Sequence, residues 1–240
     1  MFLGSPRSGS TLLGSLVDAH PNAVIATELD VLKHLDRGFS RRQIYYLLVK
    51  RAEWFTSRGS KWNDYEYYVR DQWQGRFDTL RVLGDKKAGA TVLHLMAKPQ
   101  LLQSLKRTID RPVKFVHAIR NPYDNIATLH KKQGGSIEHR IERYFAMARA
   151  VATLKEEIGS DAVLDVRHES LVQNPTVCLE TLCTYLGLDP SRKYLNDCSE
   201  IVHSSPRKSR HDVDWREEHI QDIRDGINDC DFLKGYTYDT

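Results

Sequence analysis

The sequence is short of the features that mark several large protein classes. No run approaches the ~18–20 continuous apolar residues of a membrane-spanning helix. Lys and Arg total 35 against 32 for Asp and Glu, a formal charge of +3. That balance lacks the one-sided charge of a nucleic-acid-binding domain, so no nucleic-acid partner is expected. Cysteine is sparse. Cys178, Cys183, Cys198 and Cys230 all lie in the last third, with no C-x-x-C pair and no His/Cys metal spacing. No metal site is expected. Free thiols in a reducing, cytoplasmic setting are the default reading; the even number keeps a disulfide-bonded, secretory reading open. Repeats, linkers and low-complexity segments are also missing, and the expectation is a single domain over residues 1–240.

What is present is an alternation. Short β-rich runs fall at Ala23–Ala26, Leu80–Leu83, Val113–Ile119 and Ala162–Val166. Between them, helical patterns fit Thr11–Ala19, Thr91–Leu105, Tyr123–His130, Ile137–Ile158 and Thr176–Leu186. Strands alternating with helices predict an α/β fold, a parallel sheet flanked by helices on both faces. Residues 39–78 stand apart through their aromatics, among them Tyr45, Tyr46, Trp54, Phe55, Trp62, Tyr65 and Trp73. They read as helices inserted between the second and third strands, either packed on the core or lining part of a pocket.

The richest stretch is Gly4-Ser-Pro-Arg-Ser-Gly-Ser-Thr-Leu-Leu13. A nucleotide-binding loop reads G-x-x-x-x-G-K-[ST]. Gly4, Gly9 and Thr11 fit that frame, but Ser10 stands at the lysine position and Arg7 supplies a cation three residues earlier. Backbone N–H groups and a helix N-terminus can still cradle phosphate. The lysine that reaches the β/γ-phosphates of ATP is missing, which points to a different donor. Met1-Phe2-Leu3 is short for the buried strand expected ahead of such a loop. A start further upstream, and with it a secretory lumen, therefore stays open.

In open parallel sheets, ligands bind outside the carboxyl ends of the strands. Arg7, Glu28, Lys86 and Arg120 each follow a predicted strand. Asn121 is a suitable N-cap and Pro122 suits the first helical position, so Arg120 is held beside a helix N-terminus, a good place to meet a phosphate dianion.

The loop Pro6-Arg-Ser-Gly-Ser-Thr11 resembles that of sulfotransferases that use 3'-phosphoadenosine 5'-phosphosulfate, PAPS. The resemblance implies a three-layer fold like that of the P-loop NTPases. It also implies that Arg7, Ser8, Gly9, Ser10 and Thr11 surround the 5'-phosphosulfate. Arg120 and Thr128, eight residues apart, match the family's arginine and hydroxyl pair on the 3'-phosphate. Ser204–Trp215 resembles the basic loop that closes the nucleotide site, which places Ser209 and Arg210 near the 3'-phosphate, with Lys208 or Arg207 assisting. The glycine common in that loop is replaced by Ser209. His168 stands where an aromatic residue can face adenine, and either stacks there or packs. Glu28 matches a catalytic glutamate found in part of the family and implies a general base, with His34 and His94 as fallbacks. Lys86, in Gly84-Asp85-Lys86, implies a cation on the leaving phosphate beside Arg7, and Lys87 is its rival.

The resemblance thus implies in-line transfer of a sulfuryl group from PAPS, releasing 3'-phosphoadenosine 5'-phosphate (PAP), without a metal. The acceptor would be a hydroxyl or amine on a small molecule, carbohydrate or peptide. A homodimer is left open. The competing readings are a kinase or NTPase with a degenerate loop, and a nucleotide-binding module without catalysis.

Overall fold

A computed structural model describes residues 1–63 and 65–239. Asp64, inside the aromatic segment, and Thr240, the end of the expected domain, lie outside the described residues. The chain runs β1 (Phe2–Leu3), α1 (Ser10–Asp18), β2 (Ala23–Thr27), α2 (Val31–Asp36), α3 (Arg41–Ser57), β3 (Lys61–Trp62) and β4 (Tyr65–Glu66). It continues with β5 (Val82–Lys86), α4 (Ala88–Ala97), α5 (Gln100–Ile109), β6 (Phe115–Ile119), α6 (Pro122–Gln133), α7 (Ile137–Ile158) and β7 (Val163–Arg167). Four helices close the order: α8 (His168–Gln173), α9 (Pro175–Leu186), α10 (Arg192–Glu200) and α11 (Glu217–Asn228).

Two parallel ladder sets carry five of the strands, and β3 pairs antiparallel with β4. β6 lies between β1 and β7, with Phe2 opposite Val116 and Phe115 opposite Val163. β2 pairs with β5, Ala23 opposite Val82 through Thr27 opposite Lys86. Alternate side chains point to opposite faces of a strand. Phe2, Ile25, Val116 and Val166 therefore join one core with α1, α9 and α10. Leu3, Ala26 and Phe115 join a second core with α2 to α5 and α7. This is a parallel sheet between two helical layers, as the alternation predicted. A third cluster gathers residues of α6, α7 and α11, among them Ile126, Phe145 and Ile223.

Several boundaries differ from expectation. The helix predicted over Thr91–Leu105 is two helices, α4 and α5, broken at Lys98 and Pro99. Proline drives the preceding residue out of the helical region, and Lys98 sits at φ −141, ψ 76. The strand predicted at Leu80–Leu83 lies later, at Val82–Lys86. Its end is polar, so hydrophobicity missed it, and Lys86 is the last strand residue rather than one beyond the strand. The aromatic segment holds α3 but then the β3–β4 hairpin and irregular chain, not helices throughout. Phe55 is buried, while Tyr46 is 63% and Trp54 46% exposed. All four cysteines are free, three of them buried. Among the described residues no helix is long and apolar enough to cross a membrane.

Candidate active site

The glycine-rich loop is shaped by positive φ. Gly4 has φ 129, Arg7 φ 71 and Gly9 φ 90. A Cβ on Gly4 would stand 2.5 Å from the carbonyl oxygen of Ala118, and one on Gly9 2.7 Å from His168 Nδ1. The loop is therefore pressed against the end of β6 and the start of α8, which larger residues would prevent. Gly9 is the N-cap of α1 without a side-chain cap. The first N–H groups of that helix have no intrahelical partner and point with its dipole toward the loop. The Ser8 hydroxyl is buried there with no hydrogen-bond partner among the described residues. Ser10 is nearly buried and Thr11 half-buried in the first turn.

Beside this loop lies a second polar cluster. Asn121 caps α6, its side chain accepting from Tyr123 N at 3.0 Å with Pro122 in the first turn. Arg120 is 8% exposed. Its guanidinium reaches the Thr128 hydroxyl at 3.3 Å, the Ser209 hydroxyl at 3.4 Å, and the carbonyls of Arg7 at 3.4 Å and Arg207 at 2.7 Å. Thr128 and Ser209 are themselves 3.1 Å apart. Burial works against the Arg120 charge, while Asp124 and Glu169 work for it. The side chains of three expected binding residues, Arg120, Thr128 and Ser209, thus meet at one place, beside the Arg7 backbone carbonyl.

Arg210 and Lys208 do not join them as expected. The Arg210 guanidinium is buried in an ion pair with Asp124, Nη2 to Oδ2 at 2.6 Å and Nε to Oδ1 at 3.0 Å. Its Nη1 donates to the carbonyls of Thr237 and Tyr238. A buried charge must be paired and hydrogen-bonded, and Asp124 takes the fork that was expected on a phosphate. Arg210 therefore braces the Ser209 loop onto α6. Lys208 is exposed and reaches the Asp239 carbonyl at 3.4 Å. His168 packs against Gly9; burial first, then Arg120, lowers its pKa to about 4, so it is neutral at pH 7.

The third group lies at the ends of β2 and β5. Glu28 follows β2 with φ 63, and its N–H donates to the Lys86 carbonyl at 3.0 Å. Asp85, wholly buried, holds the turn by accepting from Leu29 N at 3.1 Å and Val31 N at 2.9 Å. Burial pushes the Asp85 carboxyl up to about 6. Glu28 carries one lysine on each oxygen: Lys86 on Oε1, and Lys87 on Oε2 at 2.6 Å. Burial alone would raise the Glu28 carboxyl, yet the two lysines outweigh it and hold it below its usual value. Burial lowers Lys86, and Glu28 opposes that shift. The Lys86 stem runs beside α1, 3.1 Å from where a Cβ on Gly14 would stand, and its ammonium lies 5.6 Å from the Trp62 ring centroid.

The fallback bases have other partners. His94 pairs with Asp30, Nε2 to Oδ1 at 3.1 Å. The His34 ring packs against Phe39, tilted by 56° with centroids 4.9 Å apart. Residues that sequence reasoning passed over include Asp85, Asp124 and Glu169, which accepts from Asn121 N at 2.9 Å. Arg51, donating to the Thr27 carbonyl at 2.7 Å beneath Trp54, was missed as well. Asp85 adjoins Lys86 and Asp124 lies four residues after Arg120, the one local signal for either, because no spacing marks a brace.

Comparison with known proteins bears on this arrangement. The profile described as "Sulfotransferase family" matches residues 1–192. A sulfotransferase domain from the olefin synthase of Synechococcus PCC 7002 superposes with a TM-score of 0.55 at 19% identity, over 93% of this chain and 92% of that one. A sulfotransferase from Mycobacterium avium gives 0.54 at 12% identity, over 96% and 76%. A mouse sulfotransferase in complex with PAP gives 0.50 at 11% identity, over 98% and 83%. At such identities the likeness is one of fold. No curated protein sequence matches.

Proposed function

The chain belongs to the sulfotransferase family, and from that premise we propose that it transfers a sulfuryl group from PAPS to a hydroxyl or amine acceptor. The observation that carries this reading is the second polar cluster beside the loop. Arg120, Thr128 and Ser209 converge within 3.4 Å of one another, directly beside a phosphate loop that lacks the ATP lysine. A donor with a phosphosulfate at one end and a separate 3'-phosphate needs two such sites at once. The PAP complex of the mouse sulfotransferase supports the same donor.

The chemistry follows from the charges. The acceptor oxygen attacks sulfur in line; the new O–S bond forms as the S–O bond to the 5'-phosphate breaks. Negative charge grows on the departing phosphate. Arg7, Lys86 and the N–H groups of Gly9, Ser10 and Thr11 stabilise it, as fixed donors do for phosphoryl transfer. Glu28 takes the acceptor proton. The acceptor enters on the Glu28 side, where Arg51, Trp54 and Trp62 stand near the ends of β2 and β5. Small-molecule, carbohydrate and peptide acceptors all suit that wall.

Thermal melts with PAP, adenosine 5'-phosphosulfate and ATP–Mg test the reading. A ligand that binds only the folded chain raises its Tm. PAP should stabilise far more than the other two. Equal stabilisation by ATP–Mg would favour a kinase or NTPase instead. Transfer of labelled sulfate across acceptor classes then separates an enzyme from a binding module.

A further inference from the structure

Glu28 is gripped twice, and a base whose two oxygens both hold ammonium groups is poorly placed to accept a proton. The two lysines are adjacent in sequence but unlike in setting. Lys86 ends β5, its side chain 2% exposed, its stem packed along α1, the helix whose N-terminus is the glycine-rich loop. Lys87 begins the next helix at its N-cap, with a side chain 30% exposed. The Lys86 stem thus packs on α1 near Gly14, while Lys87 is the more exposed of the two and caps a helix whose start rests on the loop, where a Cβ on Gly89 would stand 3.3 Å from Pro6 Cγ.

We propose that Lys87 is a positioning residue: it keeps Glu28 Oε2 fixed while Lys86 leaves Oε1 for the donor phosphosulfate, freeing Oε1 to receive the acceptor proton. This rests on the donor reading above. It assigns the two lysines different work, Lys86 to the leaving phosphate and Lys87 to the base. It also makes Glu28 a stronger base once the donor is bound, because one of its two cations has gone.

The other charged groups around Glu28 are accounted for. Asp85 on β5 faces the N–H groups of Leu29 and Val31. Asp30 in the same turn pairs with His94 of α4. Arg51 of α3 spends its Nε on the Thr27 carbonyl. Among the described residues, Lys86 and Lys87 are the cations in direct contact with the carboxylate.

The test is an NMR titration of the Glu28 carboxyl in the full chain, alone and saturated with PAP. The wild type, K86Q, K87Q and K87R are compared, with E28Q to assign the signal. Without PAP, K86Q and K87Q should each raise the midpoint by about one pH unit or more, the effect of losing an opposite charge in contact. With PAP, the wild type and K86Q should titrate together, K87Q should stay higher by about one unit, and K87R should return to the wild-type value. The acidic limb of kcat against pH should follow the PAP-bound midpoints. The proposal is overturned if, with PAP bound, K87Q titrates with the wild type, or if K86Q rather than K87Q remains displaced. Failure of the donor reading looks different: PAP would shift no midpoint and raise no Tm. In that case the exchange of roles between the lysines fails with it.

Discussion

The two ends of the site are built in opposite ways. On the proposed donor side, the loop from Gly4 to Leu13 is pressed between β6 and α8, and Arg120 is buried with four hydrogen-bond contacts. Behind it, Arg210 and Asp124 form a second buried layer. On the proposed acceptor side, Glu28 is 19% exposed at its side chain, and Trp54, stacked over Arg51, is 46% exposed. The difference follows from what each side must hold. A dianionic donor of fixed shape rewards preorganised charge in a desolvated cleft. An acceptor must enter and leave, and its side keeps exposed, amphipathic rings that can meet it without prior burial.

The largest expected effect tests the acceptor side. Glu28→Gln keeps the shape and removes the basic oxygen. The kcat should fall by roughly 10²–10⁴, the usual worth of a general base, while PAP affinity measured by calorimetry stays within about twofold. With an acidic phenol as acceptor the loss should shrink. Near-normal turnover of an aliphatic alcohol would move the base elsewhere, first to His94 beside Asp30.

On the donor side, Asp124→Ala leaves the Arg210 charge buried and unpaired. Breaking such a pair costs about 3–5 kcal/mol, to be read from denaturant melts, and PAP binding should weaken because the Ser209 loop loses its brace. A change in stability without a change in PAP affinity would separate the brace from the donor site.

Arg120→Ala removes a charge-assisted contact made in the ground state. A loss of about 1.5–3 kcal/mol corresponds to a roughly 10–100-fold weaker PAP Kd, with kcat at saturating donor much less affected. The reverse pattern would place Arg120 in the chemistry rather than in binding.

A smaller effect concerns pH. The His168 imidazole has a folded pKa of about 4 against 6.5 unfolded. Between those values the unfolded chain binds more protons, so this residue's contribution to stability is full above about 6.5 and is lost as pH falls toward 4. Subtracting His168→Gln from the wild type in melts over that range isolates the loss, since Asp18 and Asp85, with raised values, act in the opposite sense. A flat difference curve would mean that His168 is solvated rather than packed on Gly9.

The smallest effect is expected at Trp54. Trp54→Ala on an exposed helix face should alter stability by less than about 0.5 kcal/mol and leave PAP affinity unchanged, while the KM for acceptor rises. A loss of donor affinity would blur the division between the two sides.

Much of this was legible in the chain before any coordinates. Strand and helix signals located β2, β6, β7, α1 and α7 closely, because a buried strand or an amphipathic helix carries its burial pattern in its own residues. The glycine-rich loop and Arg120–Thr128 were legible because their spacing is local. β5 was displaced because its final residues, Gly84, Asp85 and Lys86, are buried without being apolar. The break at Pro99 was underweighted against the apolar periodicity on either side.

What the sequence determined by itself is therefore whatever is encoded within about a dozen neighbouring residues: the layer architecture, the phosphate loop, the capped start of α6 and the order of polar groups along strand ends. What only the tertiary structure decided is which of those polar groups spend their charge on one another. Arg210 and Asp124, 86 positions apart, pair in the interior, so an arginine expected on a phosphate is a brace. Glu28 meets Lys86 across 58 positions and Lys87 beside it, so a candidate base is also a doubly held anion. Burial makes an unpaired charge costly, and the partner that relieves the cost is chosen by distance in space, which a linear sequence does not state.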